Sequence, residues 1–110
     1  MQKIEVVFYR TAAGNEVVRD WLQSLEKAER QAIGTDLKTL QYGWPIGMPL
    51  CRSLESGIWE IRSTLPTQKI ARVLFAVKDG KILILSGFIK KTQKTPKIEI
   101  ETAKKRLREF

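Results

Sequence analysis

Four lysines crowd eight residues of this chain: Lys90, Lys91, Lys94 and Lys97, within Gly87–Lys97 (GFIKKTQKTPK) and just after the apolar run Ile82–Leu85. Ammonium groups this close repel one another, and a bound polyanion relieves that cost. A solvated lysine loop is the plainer explanation of such a run. Two arginines and a glutamate elsewhere argue for more. Along Ile58–Thr64, alternation puts Ile58, Glu60, Arg62 and Thr64 on one face and Trp59 and Ile61 on the other. In the next apolar segment Arg72 shares a face with Ile70 and Leu74. A charge at mid-strand either pairs with a carboxylate or faces a cleft meant for an anion. A cross-strand bridge from Glu60 to Arg72 or Arg62 accounts for one arginine. One carboxylate does not neutralise two arginines and a lysine turn. The expectation is therefore a single hollow shared by Arg62, Arg72 and the lysines, its cations not neutralised by the protein's own carboxylates.

A site of arginine and lysine suits transesterification within RNA. The substrate brings its own nucleophile, the ribose 2′-hydroxyl. The protein has to align that hydroxyl with phosphorus, stabilise the dianionic phosphorane and protonate the leaving 5′-oxygen. Guanidinium forks bind non-bridging oxygens bidentately, which makes Arg62 and Arg72 candidates for the clamp. An ammonium among other cations releases its proton more readily, so Lys90 or Lys91 is the candidate acid or base, with Glu60 as the rival base. Arg52, Phe88, Lys94 and Lys97 are the candidate RNA-binding residues, Phe88 as a face for stacking an unpaired base. A phenylalanine that ends a strand is more often core. Trp59 reads as core, and nothing places Tyr9 or Tyr42 in this site.

Composition narrows the alternatives. The chain has 110 residues, the length of one domain spanning 1–110. It contains no histidine, which removes the commonest general base and the usual zinc ligand. No metal site and no cofactor are expected. Cys51 is the only cysteine, so no internal disulfide forms and a reducing cytoplasm fits. No apolar run is long enough to span a bilayer, and MQKIEVVFYR lacks the apolar core of a secretion signal. The net charge of +8 is uneven. Residues 1–42 are neutral, residues 43–86 carry +3 and residues 87–110 carry +5. That asymmetry steers anions towards one side, and nucleic acid is the foremost candidate.

The elements that must position these residues follow from periodicity. Lys3–Arg10 alternates as a strand, with Ile4, Val6 and Phe8 on one face. Gly14-Asn15 breaks it, and Asn15 is the expected N-cap of a helix carrying Val17, Val18, Trp21, Leu22 and Leu25 on one stripe. A second helix is predicted over Glu26–Tyr42, burying Ala28, Ala32, Ile33, Leu37 and Leu40, with Gly43 as its stop and Pro45 forbidding continuation. After a Gly- and Pro-rich loop, a short strand is predicted near Arg52–Leu54, then strands over Ile58–Thr64, Lys69–Val77 and Lys81–Phe88. Asp79-Gly80 is a type I′ hairpin signal, and Ile82–Leu85 suggests a central strand covered on both faces. A final helix spans Lys97–Phe110, with Ile98 or Ile100, Ala103 and Leu107 inward. The order β-α-α-β-β-β-α predicts an α+β domain: a mainly antiparallel sheet of four to five strands, an N-terminal αα-hairpin on one face and a C-terminal helix.

Three stretches also carry a resemblance. Leu54 with Gly57–Arg62, Arg72–Phe75 and Gly87–Pro96, followed by Glu99–Glu101, Ala103 and Arg106, resemble the phage-derived, HigB-like branch of the RelE/ParE toxin superfamily. The likeness spans nearly the whole chain in the same element order, and KKTQKTP is its most specific string. It implies a RelE-like fold and the toxin of a type II toxin–antitoxin pair, a messenger RNA endoribonuclease acting on the ribosome. It implies a helix-turn-helix, HigA-like antitoxin as partner in a hetero-oligomer, and no membrane. Carried over residue by residue, it favours Arg62, Arg72, Lys90, Lys91 and Lys94. Relatives that use a histidine or a C-terminal tyrosine near the cut differ from this chain, which has no histidine and has Phe88 as the aromatic. Two rival expectations are a ParE-like poison of DNA gyrase without a nuclease step and a non-catalytic nucleic-acid-binding phage regulator.

Overall fold

The computed structural model describes residues 3–110. Its elements are β1 (Glu5–Phe8), α1 (Val17–Ser24), α2 (Lys27–Gly43), β2 (Cys51–Ser53), β3 (Trp59–Thr64), β4 (Ile70–Lys78), β5 (Lys81–Ile89) and α3 (Lys97–Arg108). The five strands form one mixed sheet in the order β1-β5-β4-β3-β2. β1 runs parallel to β5, and the remaining neighbours are antiparallel. The α+β expectation holds, with the αα-hairpin on one face and α3 on the other.

Alternation along each strand feeds two cores. On the hairpin side, Val18, Leu22, Ile33, Leu37 and Leu40 pack over Ile61, Val73, Phe75, Ile82 and Ile84. On the α3 side, Ala103, Ile100 and Leu107 pack over Ile58, Leu74, Leu83 and Leu85. The run Ile82–Leu85 thus divides its side chains between the two cores, as a central strand must. At the β4–β5 turn Asp79 and Gly80 both take positive φ, +52° and +71°, as the type I′ signal requires.

Several local expectations are corrected. Asn15 does not cap α1. Its backbone pairs with Thr11, whose hydroxyl accepts the Asn15 N–H at 3.1 Å, and Glu16 takes the N-cap position without a side-chain bond. α2 runs through Gly43, and the extended Trp44 before Pro45 ends it. Ala28 is exposed, and Glu29 takes its buried place because its carboxylate accepts the Thr67 hydroxyl at 2.7 Å. Ile98 is exposed on the first turn of α3, leaving Ile100 as the inward residue. Among the described residues no helix is long and apolar enough to cross a membrane.

α3 covers only part of its face. Arg106 Nη1 donates to the Leu85 carbonyl at 2.7 Å, and the Ser86 hydroxyl donates to Glu99 at 2.7 Å, which fixes the helix over the middle of β5. The sheet beyond Ser86 carries charged and polar groups on that face, under the loop that joins β5 to α3.

Candidate functional site: an arginine pocket roofed by the lysine loop

Strand register alone brings the two arginines together. Arg62 on β3 lies directly opposite Arg72 on β4, and Arg72 lies opposite Phe88 on β5. One step along, Arg52 on β2 lies opposite Glu60 on β3. Like charges directly opposite one another in a ladder are destabilising. This ladder accepts such a pair because Glu60 sits beside it and is fully buried.

Glu60 is shared. Its Oε1 lies 3.4 Å from Arg72 Nε and its Oε2 lies 3.4 Å from Arg52 Nη2. The Thr95 hydroxyl donates to Glu60 Oε1. Arg72 Nη1 donates to that same hydroxyl oxygen at 3.0 Å, and Nη2 donates to the Gln93 carbonyl at 2.8 Å. The loop after β5 is thereby tied to a buried ion pair through Gln93 and Thr95. Lys90 enters from the same edge, its N–H donating to the Ile70 carbonyl at 2.7 Å.

The result is a small pocket of about 140 Å3 lined by Arg52, Glu60, Arg62, Arg72, Lys90 and Gln93, with Met48 and Pro49 at its side. Four cations face one carboxylate. Arg62 makes no ion pair among the described residues. Arg62 also lines an outer cleft with Asp36, whose carboxylate already accepts the Ser63 hydroxyl. Three buried polar atoms of the pocket, Arg52 Nε, Glu60 Oε2 and Arg72 Nε, have no hydrogen-bond partner in the protein. The 3.4 Å approaches to Glu60 are therefore electrostatic contacts rather than hydrogen bonds at Nε and Oε2. Leaving such groups unbonded costs about 1–3 kcal/mol each. Burial pushes the Arg72 guanidinium below its ordinary value; Glu60 opposes that, while Arg62 and Arg52 reinforce it.

This geometry corrects the expected site in three respects. The cations are not all unneutralised, because Arg72 and Arg52 are both matched to Glu60. Arg72 is only 2% exposed and most of its donors are engaged, so it supports the pocket from beneath and leaves the reachable guanidinium groups to Arg62 and Arg52. Lys91, Lys94 and Lys97 do not line the pocket: the loop turns after Lys90, Lys91 faces an adjacent groove, and Lys97 is the first residue of α3. Phe88 is half-buried: it packs against the α3-side core and also lines a surface cleft with Trp21, Lys91 and Thr92.

Two participants were not singled out from sequence. Thr95 is buried and bridges Glu60 to Arg72, and Gln93 supplies the carbonyl that fixes Arg72. The signal available for Thr95 was its place between the lysine run and Pro96. Among the described residues no three of His, Cys, Asp or Glu gather as a metal-ligand set.

The chain has relatives at family level. Residues 20–108 match the family described as Phage derived protein Gp49-like (DUF891). The protein belongs to this phage-derived Gp49-like family, which is RelE-like and toxin-like in kind. A search of curated proteins finds no match for the chain.

Proposed function

We propose that this protein is the toxin of a type II toxin–antitoxin pair, in the HigB-like branch, and that it cuts messenger RNA in the ribosomal decoding site. The cut is a transesterification. The ribose 2′-oxygen bonds to phosphorus, the P–O5′ bond breaks, and the products are a 2′,3′-cyclic phosphate and a 5′-hydroxyl end. Arg62 and Arg52 hold the non-bridging oxygens as negative charge grows on them, which is where a preformed guanidinium contributes most. Glu60 Oε2 accepts the proton of the 2′-hydroxyl, and Lys90 donates one to the leaving 5′-oxygen. Arg72 keeps Glu60 in place. A helix-turn-helix antitoxin silences the toxin in a hetero-oligomer, and both act in the cytoplasm.

One observation carries this reading: two arginines face each other across β3 and β4, and the only carboxylate in their pocket is already divided between Arg72 and Arg52. The unmatched charge sits in a concave site of phosphate size. Induced expression in bacterial cells, with separate pulse-labelling of protein and DNA, tests it. Protein synthesis is expected to stop first, and Arg62→Ala to remove the effect with the melting temperature unchanged. DNA breaks with an SOS response before translation falters would instead establish a gyrase poison.

A further inference from the structure

The arginine pocket is too small for a nucleotide, since sites for ligands of that size hold about 300 Å3 or more. Directly beside it is an open groove of about 470 Å3, to which the reaction above assigns nothing. Gln68, Lys69, Lys90, Lys91, Thr92 and Gln93 line it, and no carboxylate does. Lys90 and Gln93 line both cavities, so the two adjoin at the end of the β4–β5 ladder.

The register shows why the cations collect there. Ala71 pairs with Ile89, and the Lys90 N–H bonds to the Ile70 carbonyl. Continuing that register one residue puts Lys69 opposite Lys91, two like charges across the end of a ladder. Neither makes an ion pair among the described residues. Lys69 is held there by backbone bonds: the Leu65 N–H donates to its carbonyl at 2.9 Å, and the Gln68 N–H donates to Leu65 at 3.0 Å. The turn is fixed while the side chain stays exposed. Opposed ammonium groups with uncharged amide and hydroxyl neighbours suit a phosphodiester chain, in which each phosphate is matched by a lysine and the sugars meet the amides.

We propose that this groove is a flanking-phosphate subsite for single-stranded RNA, with Lys69 and Lys91 as its sequence-independent contacts. The proposal rests on the pocket being the place where RNA is cut. It gives substrate length a physical meaning: a strand confined to the pocket gains nothing from Lys69, and a longer one does.

Fluorescence anisotropy of the full chain with 2′-O-methyl RNA, which lacks the nucleophile, separates the two sites. The probes are a trinucleotide and a strand of about twelve nucleotides, within the range of known single-strand sites. Lys69→Gln and Lys91→Gln are each expected to weaken the long probe several-fold and leave the trinucleotide unchanged. The slope of log K against log salt for the long probe should become shallower by about 0.7 in each. Arg62→Ala is expected to weaken both probes. If the lysine variants bind both lengths like wild type while Arg62→Ala weakens both, the subsite is wrong and the pocket reading stands. Equal weakening of both lengths by Lys69→Gln also overturns the subsite, because Lys69 would then serve the pocket. If Arg62→Ala binds both probes like wild type, the pocket reading fails and the subsite fails with it.

Discussion

Arg62 and Arg72 are the same residue type on the same sheet face, and their surroundings give them different work. Arg72 spends its donors on Thr95 and Gln93 and stands against Glu60. Arg62, one strand over, has no such partners and faces the cleft. Sequence alternation put each arginine at mid-strand but could not say which would be matched, because Thr95 and Gln93 reach Arg72 from a loop more than twenty residues away in the chain. Thr95 is therefore the sharpest test at this scale. Thr95→Val keeps the shape and removes the hydroxyl shared by Glu60 and Arg72. It is expected to cost about 1–3 kcal/mol in denaturant unfolding, and Thr95→Ser to restore most of it. Wild-type stability in the valine variant would mean that the bridge holds nothing together.

At the scale of elements, period-2 and helical patterns made the architecture legible. Ile4, Val6 and Phe8, the Ile82–Leu85 run and the Asp79-Gly80 turn all behave as their patterns require, because each pattern reflects burial that the fold satisfies locally. What was not legible depends on packing between distant elements. Glu29 is buried where Ala28 was expected, because Thr67 on the β3–β4 turn reaches its carboxylate. Phe88 is half-buried because it packs against the core that α3 covers. Gly87 is a further case: a Cβ there would lie 2.6 Å and 2.8 Å from the Trp21 ring carbons and 3.2 Å from Val18. The helix α1 can rest on β5 only because that position lacks a side chain. Gly87→Ala should displace Trp21 and cost about 1–3 kcal/mol, as overpacking does. Thermal melting checks it, with a fall of about 4 °C or more expected per kcal/mol. An unchanged melting temperature would show that α1 shifts without penalty.

Over the whole molecule, the uneven charge seen in sequence becomes spatial: the basic residues 43–110 supply β2 to β5 and the loop that together form the pocket and groove. A second whole-molecule property comes from three proton-bearing groups. The Tyr9 hydroxyl donates to Glu109, and that bond with burial raises its pKa. Lys104 is raised by its bonds to Glu55 and Glu101. Burial pushes the Cys51 thiol up to about 11 from 9.0. All three hold their protons more tightly folded than unfolded. Their contributions are complete below the unfolded values and are lost as pH rises through the folded ones. Stability is therefore expected to stay level to about pH 9 and to fall by pH 11, the window set by Cys51. Denaturant midpoints across that range check it; a midpoint that rises with pH there would be the opposite sign.

The chemistry proposed for the arginine pocket is RNA cleavage. Primer extension on a messenger from a reconstituted translation reaction tests it most directly, comparing wild type with an Arg62→Ala variant of equal melting temperature. The predicted result is discrete new 5′ ends on the messenger with wild type, only when ribosomes are translating it, and none with Arg62→Ala. Identical ends with both proteins, or none with either, would contradict it.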